Sequence, residues 1–270
     1  MNTQDLMDIA LALVEFETPP EDSAIYVPGE SIERVLFGLD IGTGELLMAR
    51  ELGYDAVIAH HPVGVTHQAW HVFERHVGLL TRAGVPEEAA REAVAPKLEQ
   101  LRLRGMVTNY EQVPQAARLL NMPFLNIHCP LDELGRRVMQ ARVDALLEEK
   151  PQATLADIVE ALNALPAAQR AKTEVEALLG DPQAPAGRVV VAHGALTNGG
   201  YEIARAYFDH GVETVVYIHI ASGDLQRLRE HENGQLIVTG HLTGDAVGIT
   251  PYIKALRERG LDVDVLSEVM

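Results

Sequence analysis

Short apolar runs that alternate with longer amphipathic stretches confine this chain to an α/β fold. The runs occupy residues 35–40 (VLFGLD), 56–60 (AVIAH), 123–128 (PFLNIH), 188–193 (RVVVAH), 214–220 (TVVYIHI) and 235–241 (QLIVTGH). Each is β-branched or Leu-rich and too short for an ordinary helix, which is the pattern of a buried strand. Helical spacing fills the intervals. DLMDIALALVEF near the start repeats apolar residues every three or four positions. Residues 86–105 open with Pro86 and stop at Gly105, a favourable start and stop. RRVMQARVDALLEEK ends before Pro151, and TLADIVEALNAL opens with Thr154 and Asp157 at capping-box spacing. TPYIKALRERG stops at Gly260. The alternation predicts an α/β protein with a largely parallel sheet or sheets.

Size and charge bound the function. The 270 residues allow one large domain or two small ones. Residues 151–187, rich in Ala, Pro and Gln, read as a helical connector between an N-terminal lobe (1–150) and a C-terminal lobe (188–270). Strands ending in histidine occur in both halves, which suggests a weak duplication. The net charge of −17 argues against nucleic acid or an anionic membrane as partner. A bound metal could still draw a small anion. A lone cysteine, Cys129, forms no intrachain disulfide and fits a reducing cytoplasm. The start of the chain lacks the basic region of a secretory signal, and no run of 18 apolar residues exists to span a membrane.

The polar residues that end the apolar runs carry the functional signal. Asp40, His60, His61, His128, His193, His219 and His241 all lie at or just past such ends, and they include six of the 11 histidines. Ligands of open α/β sheets bind outside the carboxyl ends of strands. Any one of these histidines could simply bond a loop carbonyl; the set as a whole is poorly explained that way. Three motifs sharpen the pattern. AHHPVG places His60 beside His61, with Pro62 ending the strand. Adjacent side chains diverge, so the pair suits two ions better than one. His128-x-x-x-Asp132 and His241-x-x-x-Asp245 each put imidazole and carboxylate on one helix face if a helix begins there. Such donors suit Zn²⁺, Mn²⁺ or Fe²⁺. His60, His61, Asp132, His241 and Asp245, with His128 nearby, suffice for two ions that would lower the pKa of bound water.

In these motifs the chain resembles the NGG-interacting-factor-three-like family of dinuclear-metal proteins, some of them known as GTP cyclohydrolase 1 type 2. DAVIAHHPVG, NIHCPLD and GHLTGDAVG match the family's segments in order and spacing, over most of the 270 residues. The resemblance implies two similar α/β lobes, with mostly parallel or mixed sheets flanked by helices and a metal site in the cleft between them. It places His60, His61, Asp132, His241 and Asp245 on ligand positions for two divalent ions. It also implies a ring-shaped hexamer and a hydrolase acting on a nucleotide-like or phosphorylated small molecule. Asp245 departs from the family's usual Glu, SAIYVPGE replaces its Trp-Asp-Asn segment, and a long helical stretch at 67–119 follows the double histidine.

Other residues have plainer readings beside functional ones. His128, His193 and His219 are candidate proton carriers near the metals. HGALTNGG after His193 could cradle a phosphate before a helix or form only a tight turn; it lacks the Walker lysine. His67 and His71, at i, i+4, could add a metal pair or phosphate contacts, but with His76 they read as a solvated helix face; Trp70 and Phe73 read as packing rather than a base-stacking platform, and Cys129 as structural. Asp40 either supports a ligand or caps the following GTG turn. The rival to a hydrolase is a non-enzymatic metal-binding adaptor or metal-homeostasis protein. A single-metal barrel would need about eight βα units, and the clear runs fall short of that.

Overall fold

The computed structural model describes residues 1–231 and 233–270. The first half runs α1 (Thr3–Val14), β1 (Ala24–Val27), β2 (Arg34–Gly38), α2 (Thr43–Glu51) and β3 (Ala56–Ala59). Two 3₁₀ turns (Gly64–Gln68 and Trp70–Glu74) lead into α3 (Arg75–Arg82), α4 (Glu87–Val107) and α5 (Gln112–Leu120). Then come β4 (Phe124–Asn126) and α6 (Cys129–Glu149), followed by α7 (Leu155–Asn163) and α8 (Pro166–Arg170). The second half runs β5 (Glu176–Leu179), β6 (Val189–Val191), α9 (Gly200–Asp209), β7 (Thr214–Tyr217) and α10 (Ser222–Arg229). It closes with β8 (Gln235–Val238), α11 (His241–Glu258) and β9 (Asp262–Val265).

Every apolar run of the sequence contains a strand. The strands form two sheets, ordered β1-β4-β3-β2-β9 and β5-β8-β7-β6. Within each, the inner strands are parallel and one edge is antiparallel, β1 on β4 and β5 on β8. The two halves thus share one topology, an antiparallel edge followed by three parallel strands, to which β9 adds a fourth in the first sheet. Two strands fall where sequence patterning was silent. β1 (AIYV) and β5 (EALL) are four-residue edges, partly exposed along their length, a weak strand signal. β5 lies in the expected connector. β9 crosses the expected lobe boundary to pair with β2, Val35 opposite Val263, because its short DVDV alternation buries one face only.

The helices form layers around the sheets. Phe37, Ile58 and Leu125 of the first sheet pack on Leu6 of α1 and on Tyr252 and Leu256 of α11. Its other face packs on Leu46 and Ala49 of α2 and on Ala117 of α5. In the second sheet, Val191 and Ile237 meet Met139 of α6, Ile158 of α7 and Ala246 of α11. Its outer face packs on Ile203 and Tyr207 of α9, together with Phe73, Leu80 and Ala90. The first part of the insertion between β3 and β4 therefore leaves the first sheet and covers the second, with α3 and α4 against α9, before α5 returns to the first sheet. No helix among the described residues is long and apolar enough to cross a membrane.

Within the middle layer α6 and α11 cross at glycines. A Cβ on Gly248 would lie 1.9 Å from the Leu131 carbonyl oxygen, and one on Gly135 would lie 3.1 Å from the Gly244 carbonyl oxygen. Each glycine sits three residues after an acid of the expected site, Gly135 after Asp132 and Gly248 after Asp245. Local sequence starts both helices. Pro130 occupies the first turn of α6, where its missing N–H costs nothing. Gly240, at φ 85°, turns the chain from β8 into α11.

His76 corrects the expectation of a solvated histidine face. It is fully buried and donates from Nε2 to the Thr197 carbonyl at 2.9 Å. Phe73 is packing, as expected. Burial lowers the His76 pKa from 6.5 to about 4, because the charged ring is poorly solvated there.

Two outcomes follow from these contacts. Gly248→Ala is expected to lower stability by about 1–3 kcal/mol or more through overpacking, read as a lower denaturant midpoint; an unchanged midpoint would show that α11 can shift freely. For His76 the folded pKa lies below the unfolded one. Its contribution is complete above pH 6.5 and is lost as pH falls toward 4. Over that window unfolding free energy should fall less steeply in His76→Gln than in wild type.

Candidate metal centre

Strand ends and helix starts deliver the polar residues to one place. His60 and His61 follow β3, His128 follows β4 and opens α6, and His193 follows β6. His241 opens α11. Asp132 and Asp245 lie one helical turn into α6 and α11, and the glycine crossing brings the two helices together. All five residues that the family resemblance placed on ligand positions converge, and His128 and His193 join them.

The donor atoms form three overlapping groups, His60–His128–Asp132, His60–His61–Asp245 and Asp132–His193–Asp245, each with its ligand atoms within 4.8 Å of one another. His60 Nε2 lies 3.2 Å from Asp132 Oδ1 and 3.9 Å from Asp245 Oδ2. His193 Nε2 lies 3.5 Å from Asp132 Oδ1, and His128 Nε2 lies 3.5 Å from Asp132 Oδ2. On the outer side, His61 Nε2 stands 3.2 Å from His241 Nε2 and 3.3 Å from Asp245 Oδ2. His241 Nε2 is 3.2 Å from the same oxygen. The inner groups are dry: His60 is fully buried and Asp132 and Asp245 nearly so. The His241 side chain, in contrast, is 51% exposed.

Hydrogen bonds on the far side of three rings decide which nitrogen faces inward. His60 Nδ1 donates to the Ile127 carbonyl at 3.0 Å. His61 Nδ1 donates to Asp40 Oδ1 and His128 Nδ1 to Asp22 Oδ2, each at 2.8 Å. A neutral ring that donates from Nδ1 presents a lone pair at Nε2. The centre is therefore built of acceptors aimed at acceptors, imidazole nitrogens against carboxylate oxygens. Among the described residues His60 Nε2, His193 Nε2 and Asp132 Oδ1 are buried with no hydrogen-bond partner. Leaving such atoms unmatched is costly, and divalent cations would satisfy them. The residues fit the two ions expected from the sequence; mixed imidazole and carboxylate donors suit Zn²⁺, Mn²⁺ or Fe²⁺.

Without a cation, protons carry the same imbalance. Burial would raise the Asp132 pKa, yet His128, His193 and His60 overcome it and hold the carboxyl well below the usual range. Asp245 is held down in the same way by His241 and His61. Burial opposes protonation of His128, but Asp132 and Asp22 outweigh it and raise the ring to about 9. At His193 burial wins and the pKa falls.

Asp245 reaches the cluster although it is one methylene shorter than the glutamate that the resemblance leads one to expect. The close approach of α11 at Gly244 and Gly248 supplies the missing reach. Asp40 supports His61, and Glu45, not Asp40, caps the GTG turn by accepting from Gly42 N–H at 2.8 Å. Cys129 is buried, donating to the Gly194 carbonyl at 3.3 Å, and burial pushes its thiol well up. The HGALTNGG segment forms a βα turn. In it Asn198 Oδ1 accepts from Gly200 N–H at 3.0 Å, while Asn198 Nδ2 lies 2.6 Å from His219 Nδ1.

Sequence reasoning missed Asp22, which is fully buried. β1 runs antiparallel to β4 with Ala24 opposite Asn126, so the residue two before Ala24 comes to lie beside His128. Recognition of β1 as a strand was the missing signal. A cleft of about 390 Å³ opens over the outer side of the centre. His61, His128, His219 and His241 lie on one side of it, and His67, Trp70, Lys97 and Arg104 of the inserted segment on the other. His71 turns away, stacked on Trp70 and 3.5 Å from Glu21.

Solved structures give the comparison. A NIF3 superfamily protein from Sphaerobacter thermophilus is 48% identical, with 99% of this chain and 98% of that chain covered and a TM-score of 0.96. Reduced HcgD from Methanocaldococcus jannaschii is 11% identical over 99% of this chain and 98% of its own, TM-score 0.61. The Staphylococcus aureus hypothetical protein SA1388 is 16% identical over 100% of this chain and 97% of its own, TM-score 0.56. These last two show a shared fold alone. No protein-family profile matches the sequence, and no curated protein does.

Excess Zn²⁺ or Mn²⁺ should raise the thermal midpoint of the chelator-treated protein, since a ligand at 100 times its dissociation constant stabilises by about 2.7 kcal/mol. Asp245→Asn should abolish most of that rise. A wild-type midpoint indifferent to metal would remove the centre as a cation site.

Proposed function

Because the chain belongs to the NIF3 superfamily, we propose that its His/Asp cluster holds two divalent ions and that the loaded protein hydrolyses a nucleotide-like or phosphorylated small molecule. The observation that carries this reading is the convergence of five imidazoles, those of His60, His61, His128, His193 and His241, on two buried carboxylates beneath an open cleft. When bound, such ions supply hydroxide near neutral pH and polarise the bond under attack.

The chain's own residues divide the remaining work. His60, His128, His193 and Asp132 hold the dry end. His61, His241 and Asp245 hold the end that meets the cleft, with Asp40 fixing the His61 ring. His128 and His193, first considered as proton carriers, face Asp132 with Nε2 and are assigned to holding the ions. His219 remains for the substrate. Asn198 donates to its Nδ1, and the Asn198 amide is itself oriented by Gly200 N–H. Nε2 of His219 therefore carries the proton. Burial, with His241 nearby, lowers its pKa to about 4, so the ring is neutral at pH 7 and offers Nε2–H to a substrate atom that gains negative charge. The exposed side of His241 and the open cleft leave room for such a substrate.

Chelation should abolish turnover and added Mn²⁺, Zn²⁺ or Fe²⁺ restore it. His219→Ala should lower kcat by about 10²-fold or more, as for loss of one preorganised donor, with metals per chain unchanged; His219→Gln, which keeps a donor, should retain more. Metal-replete protein that turns over nothing in a panel of nucleotides and phosphate esters, yet assembles only with metal, would instead mark a metal-binding adaptor.

A further inference from the structure

Helix α4 carries four cationic residues, Arg91, Lys97, Arg102 and Arg104, and they divide into two kinds. Arg91 pairs with Glu87 at 2.7 Å and Arg102 with Glu99 at 2.9 Å, both on the helix's own surface. Lys97 and Arg104 have no ion pair and no side-chain hydrogen bond among the described residues, and both line the cleft. With Leu101, also on the cleft wall, they follow i, i+4, i+7 spacing and so share one face of α4. Seven residues of helix separate the two charges by roughly 10 Å along the axis. Each stands by a cleft histidine: the charge of Lys97 is felt at His219 and that of Arg104 at His67.

The charge balance makes this placement informative. The chain has 39 acidic residues and a net charge of −17, so carboxylate partners are plentiful. Among the described residues neither cation nevertheless pairs with a carboxylate, not even with Asp40 in the lining of the same cleft, whose oxygen is engaged by His61. Lys97 and Arg104 on one helix face repel each other, and an anion between them is attracted by both. Trp70, on the same wall, offers an indole surface to a planar group.

We propose that Lys97 and Arg104 form an anion-recognising lip over the metal centre, selecting a multiply charged phosphorylated ligand and rejecting its uncharged counterpart. The inference rests on the cleft being the substrate site of the reading above. It does not require turnover. The lip belongs to the insertion between β3 and β4, so ligand choice is written in a segment separate from the metal-holding residues.

The test is equilibrium binding to the metal-loaded full chain, with AMP, adenosine and inorganic phosphate as probes. Wild type should bind AMP at least tenfold more tightly than adenosine, with affinity falling as salt rises from low to physiological strength. Lys97→Met and Arg104→Met should each weaken AMP several-fold, and the pair together about tenfold or more, while adenosine and metals per chain stay unchanged. Arg102→Met, on the paired side of the same helix, should change nothing. Charge reversals Lys97→Glu and Arg104→Glu should weaken AMP further, which guards against a mere packing effect. Folded, metal-loaded methionine variants that bind AMP like wild type would overturn the proposal, and so would wild type that binds AMP no better than adenosine. Loss of binding in the lip variants without any hydrolysis by wild type would keep the lip and discard the hydrolase.

Discussion

The crossing of α6 and α11 is the constraint on which the site depends. Two helices pack this closely only where neither carries a side chain at the contact, and Gly135 and Gly248 provide that condition. The same crossing sets the separation of Asp132 and Asp245, each one helical turn ahead of its glycine. Packing energy and ligand geometry are thereby one interaction: a methyl group between the helices would part the carboxylates along with the backbones.

Around the crossing, the centre is an electrostatic arrangement that side chains alone leave unbalanced. Ordinarily a buried carboxylate is matched by a donor. Here the nearest groups are imidazole nitrogens whose other ring nitrogen is already committed to Ile127, Asp40 or Asp22. Those outer bonds are what turn the rings into acceptors, so residues far from the lone pairs decide what the centre can hold. The gradient of exposure, from fully buried His60 to half-exposed His241, gives the centre a closed end and an end open to solvent.

The two halves repeat one plan and then differ where chemistry is needed. His128-x-x-x-Asp132-x-x-Gly135 after β4 is matched by His241-x-x-x-Asp245-x-x-Gly248 after β8, on helices at equivalent points of the topology. The ends of β3 and β7 differ: the first carries two histidines into the cluster, while the second carries His219 to the cleft wall beside Asn198. Asymmetry also enters through the long insertion after β3, which packs on the second sheet and roofs the cleft. A duplicated scaffold thus carries the donor residues, and one unduplicated segment shapes what can approach them.

Much of this was legible from one-dimensional pattern. The central strands, the capped helix at Thr154 and the histidines at strand ends follow from residue type and spacing, because a buried parallel strand needs a continuous apolar run and ligands collect at carboxyl ends. The family resemblance placed five residues that the fold gathers together. What pattern could not supply depends on long-range pairing. β1 and β5 are short, partly exposed edges that do not stand out from the loops around them, so Asp22 could not be assigned to His128. β9 pairs across the molecule with β2, which no local spacing announces. His76 resembled a surface residue until α3 packed on α9, and Lys97 and Arg104 resembled any solvated cations on a charged helix. Residue type by itself determined which groups could be donors, acceptors or core. Only tertiary structure decided which of them face one another, since facing is set by helix crossings and strand register between segments far apart in the chain.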